Sequence, residues 1–250
     1  MANYDVAIGA LAEFDYATAL RELRPLAEQG HVASMALLGE MYEKGLGTSQ
    51  NYSEAARWYS QIANAGVADY QFKIALMIIA GQGFSADAAT RATSAIWLRK
   101  AAEQGHVVAQ RCLGQMHTTG DGVPHDYVKA VAWNRKAAEQ GDSEAQFNLG
   151  CLYVDGNGVS RDLKQAVAWY RRAAKQNHAP SQLNLGILYG RGEGVPRDDV
   201  QSYMWFGLAA AQGDEKAREL QHGLRSRMTR KQIAEAQALS RELDSCIGQH

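Results

Sequence analysis

The residues able to do chemistry in this 250-residue chain recur at intervals instead of gathering into one constellation. Five Gly-x-Gly pairs (Gly45/Gly47, Gly81/Gly83, Gly120/Gly122, Gly156/Gly158 and Gly192/Gly194) would each suggest a backbone cradle for phosphate if met alone. None follows a strand pattern, and fivefold recurrence fits helix termination at positive φ better than nucleotide binding. The histidines are scattered. His31 and His106 share one phase and His178 follows a helix end, so they read as structural or solvated turn residues and not as a metal set. Cys112, Cys151 and Cys246 are too few and too uneven for a disulfide framework, and an odd count fits a reducing compartment. Cys112 and Cys151 fall on neighbouring helices whose axes should lie about 8–10 Å apart, so both are expected as thiols. The run Arg225, Arg227, Arg230 and Lys231 could grip an acidic partner, a solvated connector being the simpler reading.

Catalytic signatures are missing. The chain holds no H-E-x-x-H, C-x-x-C, G-x-S-x-G or S-x-x-K. A hydrolase acting on cell-wall or β-lactam substrates would need a serine activated by a lysine. No enzyme activity and no cofactor are expected. With 26 basic and 27 acidic residues the net charge is −1, leaving no uniform positive field for nucleic acid or anionic lipid. No stretch approaches the ~18 apolar residues of a membrane span. The N-terminus lacks a basic region followed by an apolar core. A cytoplasmic location is expected, with the periplasm as the alternative should a leader have been removed.

The elements that must position any site follow from one periodicity. Trp58, Trp97, Trp133, Trp169 and Trp205 are spaced by 39, 36, 36 and 36 residues. That interval marks stacked helical repeats, each borrowing its neighbour's apolar face. Full units run over 31–66, 67–105, 106–141, 142–177 and 178–213, each reading as helix A, a glycine turn and helix B. Gly39, Gly114, Gly150 and Gly186 sit inside helix A, where glycine costs roughly 0.5–1 kcal/mol relative to alanine. Repetition of that cost implies close approach of helix B. Seven residues before each tryptophan stands Asn51, Thr90, Asp126, Asp162 or Asp198, expected to cap helix B. Gly66, Gly105, Gly141, Asn177 and Gly213 should end it. Small residues (Ala55, Ser94, Ala130, Ala166, Ser202) precede each tryptophan by three, and helix B should pack closely there while the indole fills the remaining space. Residues 4–30 form a shortened unit. Residues 214–250 supply a short helix A at 214–222 and a last helix opened by Thr229, whose Ile233, Ala236, Leu243 and Ile247 close the stack. About fourteen helices in seven pairs result.

The combination A-x-x-x-L-G-x-x-Y-x-x-G-x-G-V, an Asp cap, and A-x-x-W-Y-x-x-A-A-x-x-G resembles the Sel1-like repeat, a relative of the tetratricopeptide repeat. The resemblance covers roughly residues 4–250 and implies a single all-α, right-handed superhelical solenoid of antiparallel helix pairs acting as an adaptor for protein complexes, common in bacteria. The second full unit departs from it. Ala75 replaces the helix A glycine, Ile78 replaces tyrosine, Tyr70 takes a small residue's place and three extra residues lie between Gly83 and Trp97, so local distortion is expected.

The tetratricopeptide-like arrangement implies an inner groove lined by helix A, at positions two and three before the central glycine, one after it, and four or five after it. Transferred here, these are Phe72, Lys73, Leu76 and Ile79 in the second unit and Arg111, Cys112, Gln115 and Thr118 in the third. The fourth unit supplies Phe147, Asn148, Cys151 and Val154, and the fifth Leu183, Asn184, Ile187 and Arg191. Asn148 and Asn184 are equivalent amides, each with a donor and an acceptor suited to the main chain of an extended peptide. Phe72, Leu76 and Ile79 form a stripe at i, i+4, i+7, expected to pack against adjacent A helices unless a partner covers it. The implied function is a monomeric, non-catalytic adaptor holding a peptide or helix of another protein. The alternative is a self-associating structural or envelope-assembly protein.

Overall fold

The computed structural model describes residues 3–84 and 88–247. Among them are fourteen α-helices and no strands. They group into two compact units, Met1–His125 and Asp126–His250. The first unit holds α1 (Tyr4–Ala12), α2 (Tyr16–Glu28), α3 (Val32–Lys44), α4 (Tyr52–Asn64), α5 (Ala68–Ile79), α6 (Ala88–Glu103) and α7 (Val107–Thr119). The second holds α8 (Tyr127–Glu139), α9 (Ser143–Asp155), α10 (Leu163–Ala174), α11 (Ala179–Arg191), α12 (Asp199–Ala211), α13 (Glu215–Arg225) and α14 (Arg230–Ile247). Within each unit each helix as far as α13 packs on the next in sequence, and α14 passes over α13 to fold back onto α12. The fold is an all-α repeat solenoid.

Local chemistry sets the helix ends. Asn51, Asp126, Asp162 and Asp198 cap α4, α8, α10 and α12 by accepting backbone N–H bonds, at 3.0 Å from Lys129 to Asp126 and at 2.9 and 3.1 Å from Lys164 and Gln165 to Asp162. Thr90 does not follow. Its helix begins at Ala88, so Thr90 falls in the first turn and not at the cap position. The three inserted residues lengthen α6 to 16 residues against 13 in α4 and α8, which shifts the start. The side chains of Thr90, Cys246 and Ile247 lie outside the described residues. Thr229 opens α14 as expected, exchanging hydrogen bonds with Gln232. The short helix α13 reaches Arg225, three residues beyond the expected end.

Three of the glycines inside helix A, Gly39, Gly150 and Gly186, have a specific neighbour, the ring one residue after tryptophan, whereas the residue after Trp133 is Asn134. A Cβ on Gly150 would lie 2.5 Å from Tyr170 Cε1, and one on Gly186 would lie 2.5 Å from Phe206 Cδ1. Tyr59 crowds Gly39 in the same way. In the divergent second unit Ala75 replaces the glycine and the matching position is an aliphatic side chain, Leu98, fully buried. The second glycine of each turn serves the contact between repeats: at its positive φ, a Cβ on Gly83 would come within 2.6 Å of the Tyr52 carbonyl oxygen and one on Gly122 within 2.7 Å of that of Arg91. Main chain there lies against main chain.

A buried glutamine runs through the repeats. Gln71, Gln110, Gln146 and Gln182 donate to the carbonyls of Ala63, Ala102, Ala138 and Ala174 at 3.0–3.1 Å, tying each helix A to the end of the preceding helix B. Arg135 and Arg171 donate to the hydroxyls of Tyr153 and Tyr189, 18 residues ahead. The tryptophans divide. Trp58 and Trp205 are buried, whereas Trp97, Trp133 and Trp169 are half-buried beneath Lys100, Lys136 and Arg172 at 4.1–4.4 Å. Each of those three indoles makes its own cation–π contact and does not simply plug a gap between helices.

Candidate binding face

The first unit presents the A-helix face of α3, α5 and α7. Between α3 and α5 lies a cleft of about 580 Å³ whose α3 wall is Ala36, Leu37, Glu40, Glu43 and Lys44, the same phase around Gly39 that the groove expectation uses. Sequence reasoning omitted this repeat, though its phase could have supplied it. Tyr59 forms the floor and donates to Glu43 Oε2 at 3.0 Å, while Lys73, an expected groove residue, reaches Glu43 Oε1 at 2.8 Å. Burial, reinforced by the Glu43 carboxylate, pushes the Tyr59 hydroxyl far above its ordinary range, so it remains a donor. Burial, with Glu40 adding to it, also raises Tyr70.

Phe72 stacks against His106 with centroids 4.4 Å apart. His106 caps α7, its Nδ1 accepting from Ala109 N at 3.1 Å, and its Nε2 lies 3.8 Å from Asp69. The rest of the apolar stripe does not pack away. Leu76 is 40% and Ile79 55% exposed. Arg111 is half-buried with interactions of its own, and Gln115 is exposed. Cys112 forms no disulfide.

The second unit repeats the arrangement with other chemistry. Phe147 sits between Tyr170 (5.8 Å) and His178 (5.1 Å), and His178 caps α11 while its Nε2 meets Glu144 at 3.2 Å. Both histidines are thus structural caps, and no group of side chains suited to a metal exists among the described residues. Asn148 is half-buried with no side-chain hydrogen bond among the described residues, whereas the equivalent Asn184 stands close enough to the Tyr170 hydroxyl to offset part of its shift. Tyr170 in turn donates to Cys151 Sγ at 3.2 Å, and burial raises both groups above their ordinary range. Cys151 is free. Ile187 and Arg191 line a separate cleft against α13. Phe72, Lys73, Leu76 and Ile79 therefore share α5, Arg111 and Gln115 α7, Phe147 and Asn148 α9, and Asn184 and Arg191 α11.

No described helix is long and apolar enough to cross a membrane. The Sel1 repeat family model matches five times, at residues 32–67, 68–106, 107–142, 143–178 and 179–214. No curated protein matches the sequence. Among solved structures, a Sel1 repeat protein from Oxalobacter formigenes is 32% identical over 87% of this chain and 88% of its own, with a TM-score of 0.77. A protective antigen of uropathogenic Escherichia coli with an SLR fold is 29% identical, covering 91% of this chain and 64% of its own at a TM-score of 0.46. The immunity protein Pa5087 of Pseudomonas aeruginosa is 18% identical over 77% of this chain and 73% of its own, at 0.44. Five consecutive family matches over the helix pairs of both units mean that the chain belongs to the Sel1 repeat family.

Proposed function

We propose that the protein is a monomeric, non-catalytic adaptor that holds a peptide or helix of a partner protein along its A-helix face. Sel1 repeat proteins are generally protein-interaction scaffolds, and the solenoid is typically non-catalytic. The observation that carries the finer reading is the exposure of Leu76 and Ile79 beside half-buried Phe72, at the i, i+4, i+7 spacing by which an apolar helix or strand is received. Apolar side chains left in water at one spacing on one face gain most from being covered by a partner.

The test is a photo-crosslinking amino acid placed at Ile79 or Asn148 on the A face and, as controls, at Ile96 or Val128, exposed apolar positions on α6 and α8. One and the same partner protein should be trapped from the A-face positions in its native cell and not from the controls. Trapping of a second copy of this chain instead, with light scattering showing a dimer or larger, would replace the adaptor by a self-assembling structural protein.

A further inference from the structure

The cleft between α11 and α13 differs in kind from the A-helix face that precedes it. It has a volume of about 300 Å³, a floor of Ile187, Phe206, Leu220 and Leu224, and three cations at its rim, Arg191, Lys216 and Arg227. No carboxylate lines it, and among the described residues none of the three forms an ion pair. Lys216 even stands in the first turn of α13, where the helix dipole favours a negative side chain.

The repeat does not dictate this charge. Thirty-six residues earlier the same three positions are Asp155, Pro180 and Arg191, and one repeat before that Thr119, Glu144 and Asp155. Leu220, 37% exposed, stands where the preceding repeats have Asn184 and Asn148. A row of amides suited to a peptide main chain is thus followed, at the next equivalent position, by an apolar side chain ringed with positive charge. Asn184, Ile187 and Arg191 share one face of α11 at i, i+3, i+7, so the row and the cleft are continuous.

We propose that this cleft receives the C-terminal residue of the partner peptide, its free carboxylate held by Arg191, Lys216 and Arg227 and its apolar side chain seated on Leu220 and Ile187. Only at a chain end do a carboxylate and an apolar side chain share one Cα, which matches cations at the rim of an apolar floor of this size. The inference rests on the reading of the A-helix face as a peptide groove.

The test uses the full chain, immobilised, and an equimolar mixture of degenerate hexapeptides ending in Leu, Ile or Phe as free acids or as C-terminal amides, with retained species counted by mass spectrometry. Free acids should be enriched about tenfold or more over amides, the fold-change expected from one charge-assisted hydrogen bond. The Arg191→Gln/Lys216→Gln/Arg227→Gln variant, whose changes are confined to exposed side chains and whose folding is checked by circular dichroism, should retain both alike. Equal retention of acids and amides by the unaltered chain, or no retention of either, overturns the proposal. So does preference for amides carrying an internal Glu, which would give the cations to an acidic side chain. The Asn148→Ala/Asn184→Ala variant separates the two readings. Acid preference that persists there at full strength keeps the cleft and removes the amide row, whereas amide-tolerant retention that this variant abolishes keeps the row and removes the terminal carboxylate.

Discussion

Gln176 donates a 2.9 Å hydrogen bond to Gln146 Oε1 from 30 residues ahead, while Gln146 itself donates to the Ala138 carbonyl. The same relation joins Gln104 to Gln71 and Gln212 to Gln182. Each buried amide therefore closes the end of one helix B and receives the end of the next. Replacing Gln146 by Leu leaves the Ala138 carbonyl unsatisfied in the interior and should cost about 1–3 kcal/mol. Gln176→Ala, at an exposed position, should cost less. Urea denaturation of the two variants checks the ordering.

Gly150 and Tyr170 should behave as one unit. Gly150→Ala forces its new methyl group against the tyrosine ring and is expected to destabilise by about 1–3 kcal/mol. Combining it with Tyr170→Leu recreates the Ala75/Leu98 pairing of the second repeat and should recover part of the loss. A double-mutant cycle with a coupling below about 0.5 kcal/mol would show that the two sites do not meet.

The aspartate caps carry both a size and a pH signature. Asp162→Ala should cost ~0.5–2 kcal/mol. For Asp126, backbone and side-chain hydrogen bonds from Lys129 hold the carboxyl below its ordinary value of 3.8. A lowered folded-state pKa means that its stabilisation is complete above the unfolded value and disappears as pH falls through the folded one. The stability difference between the natural chain and Asp126→Asn should accordingly be constant near neutrality and shrink below about pH 4. Thermal melts across that range read it directly.

Burial separates the tryptophans. Trp58→Ala opens a cavity at a 2% exposed position and should cost ~3–5 kcal/mol. Trp133 is half-buried under Lys136, so Trp133→Ala should cost roughly 1–3 kcal/mol, a smaller area being returned to water. Equal losses in chemical denaturation would contradict the half-buried placement.

On the proposed groove, Asn148→Ala should weaken partner binding by about 1–3 kcal/mol with unchanged thermal stability. Asn184→Ala also removes the amide beside the buried Tyr170 hydroxyl and should lower stability as well as affinity. Calorimetric titration of both variants with the trapped partner distinguishes the two amides.

What was legible in the residues was local. A cap acts on an N–H two or three positions away, and a glycine at a helix end answers to its own φ, so Asp126, Asp162, Asp198 and Gly66 could be assigned from spacing alone. Gly39, Gly150 and Gly186 announced a close approach, but the ring that makes it lies about 20 residues on, and nothing near the glycine identifies it. The glutamines were invisible for the same reason, since Gln146 is an ordinary polar helix residue until Gln176 and Ala138 are brought beside it. Thr90 failed because counting back from Trp97 crosses an insertion that α6 absorbs as added helix. The apolar stripe on α5 was found, but whether Leu76 and Ile79 face a neighbour or water depends on packing that periodicity does not encode.

The second glycine of each turn has a consequence for how such a chain can change. Because Gly83 rests on the backbone of Tyr52 and Gly122 on that of Arg91, the step from one repeat to the next is gauged by peptide units, which every residue type shares. Whole repeats can then be duplicated or lost by recombination without a new joint having to evolve, because the glutamine that ties helix A to the preceding helix B travels within each repeat. Arrays of different length become available to lineages at little cost, while the outward-facing residues stay free to acquire new specificities.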